Sequence, residues 1–380
     1  MRTPRRTVAA VAIAAALATV ATSAAPAAAS TTAAAPGNGP VTAAAAPSAP
    51  GGVVLRAQRR AAAQPKLPAA YDHTAPRGSF FGPTSVWKQD VRKAPVNPRS
   101  AAMVAGLHRQ VTTLYNGVAA FNVSNYSTNV YTVSGAQRRV DVAFDDCQKK
   151  KYTPAGLLGA GGQFTGVPIP DDAVPARGSD GQLTIYSPST DQLWEFWRAK
   201  RVDGRWQACW GGRIDAVSTS PGYFSGGFGA AATGLSFSAG AIGIKDVQAG
   251  SIDHALSLQI VEPKKWTTFS WPAQRSDGFS TDPDAIPEGL RLRLDPAVDV
   301  ESLKLTPIGK MVARAAQKYG FIVTDKAGAV ALTAESGTAT ANATGVDPWP
   351  ALMRGKPHYE IMRGFPWDKL QALPENYGKP

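Results

Sequence analysis

The segment 182–217 concentrates the side chains best able to do chemistry: Gln182, Glu195, Trp197, Trp210, Arg213 and Asp215. It reads as three strands, 183–186, 193–200 and 206–217, joined by a turn at 187–192 and by a hairpin at Asp203-Gly204. Pairing about that hairpin sets Trp197 opposite Trp210 and Glu195 opposite Gly212. Side chains alternate along strands, so Gln182 and Thr184 join them on one face. The other face carries Leu183, Ile185, Trp194 and Phe196 and reads as core. Indoles stack on the C–H faces of sugar rings, while amides and carboxylates bond hydroxyls. Trp197, Trp210, Gln182 and Gln259 are therefore the expected substrate-binding residues. The alternative is a second buried layer with Glu195 at its margin.

Paired glycines inside a strand often mark a bulge. A bulge at Gly211-Gly212 would bring Arg213 and Asp215 to the face of Glu195; without it, both charges would turn to the core and need each other as partners. The expected catalytic set is Glu195, Asp215, Asp180, Arg213 and His254. Two carboxylates suit glycoside hydrolysis, and an arginine suits neutralisation of a uronate before proton abstraction by a lyase. Each has a plainer reading: an ion pair for Arg213 and Asp215, turn chemistry for Asp180 before Gly181, and a core position for His254 beside Leu256 and Leu258. Gly-x-Ser-x-Gly and His-Glu-x-x-His are absent, which leaves a serine hydrolase or zinc protease unsupported. The four histidines are scattered, so neither a metal nor another cofactor is expected.

These residues need elements to hold them. Apolar spacing predicts helices over 99–115 and 307–319, the second closed by Gly320. Further strands are expected at 129–133, 139–144, 252–261 and 290–294, with 321–325 and 329–335 as a closing pair; beyond Asn342 the chain reads as irregular. Many short strands with Gly/Pro turns and two or so peripheral helices give a mainly β fold, an antiparallel jelly-roll-like β-sandwich.

Arg2, Arg5 and Arg6, an uncharged Ala-rich run and small residues to Ala29 form a secretory signal pattern over 1–29. Residues 30–65, nearly all Ala, Pro, Thr, Ser and Gly, read as a disordered linker or pro-segment, with Arg59-Arg60 a candidate processing site. Residues 66–380 are expected to form a single secreted domain. Of the formal charge of +12, six arginines before Lys66 supply half, leaving +6 on that domain. Such a balance favours acidic polysaccharide or cell wall as partner and lacks the dense basic stripe of a nucleic-acid binder. Cys147 and Cys209, the only cysteines, suit one disulfide in an exported chain.

The stretches 79–104, 168–197, 206–220, 227–256, 270–274 and 286–332, which include PIPDDAVPARGSDGQLTIYSPSTDQLWEFW and WQACWGGRIDAVSTS, resemble a widespread family of secreted bacterial proteins, common in actinobacteria. The resemblance spans nearly all of 66–380 and implies an exported protein of that extent; the family has no settled activity to carry over. Relatives often follow the Gly-Asp segment with Arg-His. Here the order is Asp180-Gly181-Gln182, so no role resting on that histidine carries over. The expectation is a monomeric extracellular protein, free of membrane once its signal is cleaved. It would be a glycoside hydrolase or polysaccharide lyase, or else a non-catalytic carbohydrate-binding or wall-associated module.

Overall fold

The computed structural model describes residues 71–380, which belong to one compact unit, 65–380. The signal pattern at 1–29, the linker at 30–65 and the Arg59-Arg60 site lie outside the described residues.

In chain order the elements are β1 (Tyr71–Asp72), α1 (Ser100–Thr113), β2 (Ala120–Asn122), β3 (Thr128–Val133), β4 (Ala143–Phe144), β5 (Gln182–Ser187), β6 (Gln192–Trp197), β7 (Lys200–Val202), β8 (Arg205–Ala208) and β9 (Trp210–Asp215). Then come α2 (Ile244–Ala249), β10 (Leu256–Ile260), β11 (Arg291–Leu294), α3 (Pro307–Lys318), β12 (Phe321–Lys326), β13 (Ala331–Thr333), α4 (Thr338–Thr344), α5 (Trp349–Leu352) and β14 (Leu370–Ala372). The fold is mainly β, with strand orders β1-β3-β5-β6-β9, β14-β11-β12-β10-β13-β2 and β4-β8-β7. All three sheets are mixed rather than antiparallel: β3 runs parallel to β5, β10 to β12, β13 to β2 and β4 to β8. Short alternating strands do not encode direction; the long connections between these pairs do.

The hairpin registers hold. Thr184 faces Glu195, Glu195 faces Gly212 and Trp197 faces Trp210. The outer half of the hairpin, however, is not a continuation of the same sheet. Arg198 adopts φ 54°, which ends β6, and β7 with β8 peels away to join β4. Leu183, Ile185, Trp194 and Phe196 are buried in one core, as expected. On the opposite face Leu193 and Ile214 share a core with Val130, Trp87 and Ile322, which joins the five-stranded sheet to the six-stranded one.

Both long helices form where the apolar spacing places them. Met103, Val104, Leu107 and Val111 of α1 are buried at intervals of three to four residues. Helix α3 starts at Thr306, whose hydroxyl accepts the Gly309 N–H at 2.9 Å, with Pro307 next; Gly320, at φ 77°, follows its end. Strands β12 and β13 are not partners, because β10 lies between them. The segment beyond Asn342, expected to be irregular, also contains α5 and β14 and packs into the core. Trp349, Phe365 and Trp367 are buried in the largest core, and β14 pairs with β11 at the sheet edge.

Candidate functional site

One end of the two large sheets opens into a cleft of about 860 Å³. The five-stranded sheet contributes Gln182, Trp197 and Trp210 from β5, β6 and β9, and the six-stranded sheet contributes Gln259 and Asp325 from β10 and β12. Asp180, Arg275 and Asp277 reach it from loops. All four expected substrate-binding residues and one expected catalytic residue, Asp180, therefore line one space.

The other four expected catalytic residues do not line it. Glu195 is fully buried beneath the 236–238 segment. Its carboxyl group accepts the Ser236 hydroxyl at 2.7 Å, the Phe237 N–H at 2.8 Å, and the Ser238 N–H and hydroxyl at 2.9 and 2.5 Å. Burial pushes its pKa up, against the pull of those donors. It is a fastening for a polar segment, not a reacting group. The bulge expected at Gly211-Gly212 does not form, since the β6–β9 register is unbroken. The two glycines serve close approach instead. A Cβ on Gly211 would stand 2.3 Å from the Glu195 carbonyl oxygen, and one on Gly212 would stand 2.8 Å from the Phe224 ring. Arg213 and Asp215 therefore stay on the face of Trp194, where their ion pair at 3.1 Å ends at the margin of the sheet. His254 is 2% exposed; its Nδ1 lies 2.8 Å from the Ala255 carbonyl and its Nε2 3.3 Å from the buried Asp246 carboxylate. That is a structural pair away from the cleft.

A register shift does occur at the site, but in the other sheet. Leu258 pairs with Val323 and Gln259 with Asp325, so Thr324 is the extra residue. Thr324 Oγ1 accepts from Gln259 Nε2 at 3.1 Å, and the Thr324 carbonyl accepts the Thr233 hydroxyl. The shift turns Asp325 to the cleft floor, as bulges beside active sites commonly re-aim a side chain. Asp325 accepts the N–H of Ala232 at 3.0 Å and of Lys326 at 2.9 Å. Burial, joined by the nearby charges of Asp277 and Asp180, raises its pKa to about 7.

Asp325, Asp277 and Glu288 bring one carboxylate oxygen each within 4.8 Å of one another. That spacing suits one shared proton or one calcium-sized cation. Burial and the Asp277 carboxylate raise the Glu288 pKa to about 8, and Lys326 already pairs with Asp277 at 3.0 Å, so the crowding is relieved by a proton and an ammonium. Arg275 and Asp277, in a loop, and Glu288, before β11, escaped the sequence reading. Asp325 carried a faint signal, an acid ending an otherwise apolar strand.

The indoles are not open platforms. Trp210 stacks on Phe228 with centroids 5.7 Å apart, while Lys150 and Arg275 stand 5.4 and 5.9 Å from its ring centre. Trp197 donates its N–H to Asp180 at 3.2 Å, and Arg198 lies 5.6 Å over its ring. Gln182 is buried in the cleft wall. Cys147 and Cys209 form a disulfide, one residue from Trp210. No helix among the described residues is long and apolar enough to cross a membrane. No family model, no curated protein and no solved structure matches this chain.

Proposed function

We propose that this is an exported protein that cleaves an extracellular polysaccharide by acid–base hydrolysis in the cleft. The observation that carries the reading is Asp325, a carboxyl group with a pKa near 7 at the floor of a cleft that also holds the Asp180 carboxylate and two indoles. A carboxyl group that keeps its proton near neutral pH, sharing a cleft with a second carboxyl group, is the equipment of glycoside hydrolysis. Asp325 gives its proton to the leaving glycosidic oxygen. Asp180, oriented by the Trp197 N–H, takes the proton of the attacking water. Gln182 and Gln259 supply hydroxyl partners. One disulfide and the 1–29 signal pattern support export, and the mainly β fold of mixed sheets is compatible with it.

The test is a panel of purified polysaccharides assayed for new reducing ends and for absorbance of unsaturated uronates. Reducing ends without that absorbance, lost in Asp325→Asn, are the expected result. Absorbance would replace hydrolysis by elimination. Binding without new ends would leave a carbohydrate-binding module, the alternative that the polar lining of the cleft, Gln182 and Gln259 included, also supports.

A further inference from the structure

Indoles were expected to stack on sugar, yet in the cleft each is faced by a cation. Lys150 and Arg275 approach Trp210, and Arg198 lies over Trp197. Neither Lys150 nor Arg198 forms an ion pair among the described residues, although fourteen such pairs occur elsewhere. A cation over an indole face is held by the ring quadrupole without its charge being cancelled. It remains available to an anion.

The loop that carries Lys150 is built at a cost. Lys149 and Lys151 adopt φ 55° and 63°, a backbone region that side chains other than glycine seldom enter. The Asp146 carboxylate holds the turn by accepting the N–H of Lys150 at 2.8 Å and of Lys151 at 2.7 Å. The Cys147–Cys209 disulfide ties the same loop to the chain beside Trp210. Lys150 is thus held at the cleft by a carboxylate and a covalent bond, with Lys149 and Lys151 beside it in the loop, and all three are exposed.

The acids of the cleft do not cancel this. Asp277 is paired with Lys326, and Asp325 and Glu288 hold their protons more tightly than ordinary carboxyl groups. Asp180 remains against Lys150, Arg275 and Arg198.

We infer that the polysaccharide taken by this cleft is anionic, its carboxylate or sulfate groups received by Lys150 and Arg275 beside Trp210. The inference rests on the polysaccharide reading and narrows it. Affinity electrophoresis of the full protein through polygalacturonate, chondroitin sulfate and a neutral β-glucan tests it. The first two separate carboxylate from sulfate. At least one anionic polymer is expected to bind about tenfold or more tightly than the neutral one, and to weaken with added salt. Lys149→Gln/Lys150→Gln/Lys151→Gln, all on the surface and checked for folding by circular dichroism, is expected to weaken that binding by about tenfold or more. Restoring the charge at one position as Lys150→Arg within that background should recover part of it. Equal binding of neutral and anionic polymers, or an unaffected triple variant, would overturn the inference. Cleavage of the neutral glucan alone would sink the anionic class and leave hydrolysis standing. Salt-sensitive binding of an anionic polymer without new reducing ends would do the reverse.

Discussion

A carboxyl group acts as a proton donor only while it holds the proton, which makes Asp325 a pH-dependent part. Its raised pKa places the loss of donor near pH 7, so kcat/KM should fall as pH rises through that value. A pH–rate profile checks this, and an alkaline limb well above pH 8 would remove Asp325 from the role. Asp325→Asn should lower kcat by about 10²–10⁴-fold with the fold intact. Glu195 sits at the opposite extreme. Glu195→Ala would strand the donors of Ser236, Phe237 and Ser238 in a dry interior, at about 3–5 kcal/mol. Urea unfolding should show that loss, while the folded fraction keeps its kcat. The sequence made both residues visible as acids in strands. Sequence alone points to Glu195 and not to Asp325, because an acid's role depends on what closes over it. Serines forty residues downstream close over Glu195; a cleft stays open over Asp325.

Among the elements, the local ones were legible and the long-range ones were not. The turn residues about Asp203-Gly204 set the register of β6 and β9, and apolar spacing set α1 and α3, since each is decided within a few residues. The parallel pairs β3–β5 and β10–β12, and the register shift at Thr324, depend on partners far along the chain. Gly211-Gly212 shows how one signal admits two causes: glycine there avoids collision with Glu195 and Phe224 rather than enabling a bulge. Gly212→Ala should therefore cost about 1–3 kcal/mol, read as a lowered unfolding midpoint. The disulfide spans 62 residues, and its removal in Cys147→Ser/Cys209→Ser should cost about 2–4 kcal/mol by the chain-entropy argument. The same variant should also weaken binding of an anionic polymer, since the lysine loop loses its tether.

For the whole molecule, four acids raised by burial, Glu195 among them, shape the pH dependence of stability. Asp325 is raised to about 7, and Glu288 and Glu335 to about 8, chiefly by burial. Each binds its proton more tightly folded than unfolded, so stability falls as pH rises from the ordinary carboxylate range through about 8. Melting temperature should drop between pH 5.5 and pH 9, and a flat profile would contradict these surroundings. Glu335 also shows what the N-terminal part of the described chain rests on, for it accepts the N–H of Ala75 at 2.7 Å and of Ile244 at 2.9 Å. The arrangement of the six-stranded sheet has a kinetic consequence. Its edges are β2, near residue 120, and β14, near residue 370, and nothing between them can finish the sheet alone. A ribosome or a translocation pore would have to release almost all of the chain before the sheet closes. Until then the apolar faces of β10, β11 and β12 stay uncovered, and a chaperone that masks them would raise the yield of folded protein more than any stabilising substitution in the cleft.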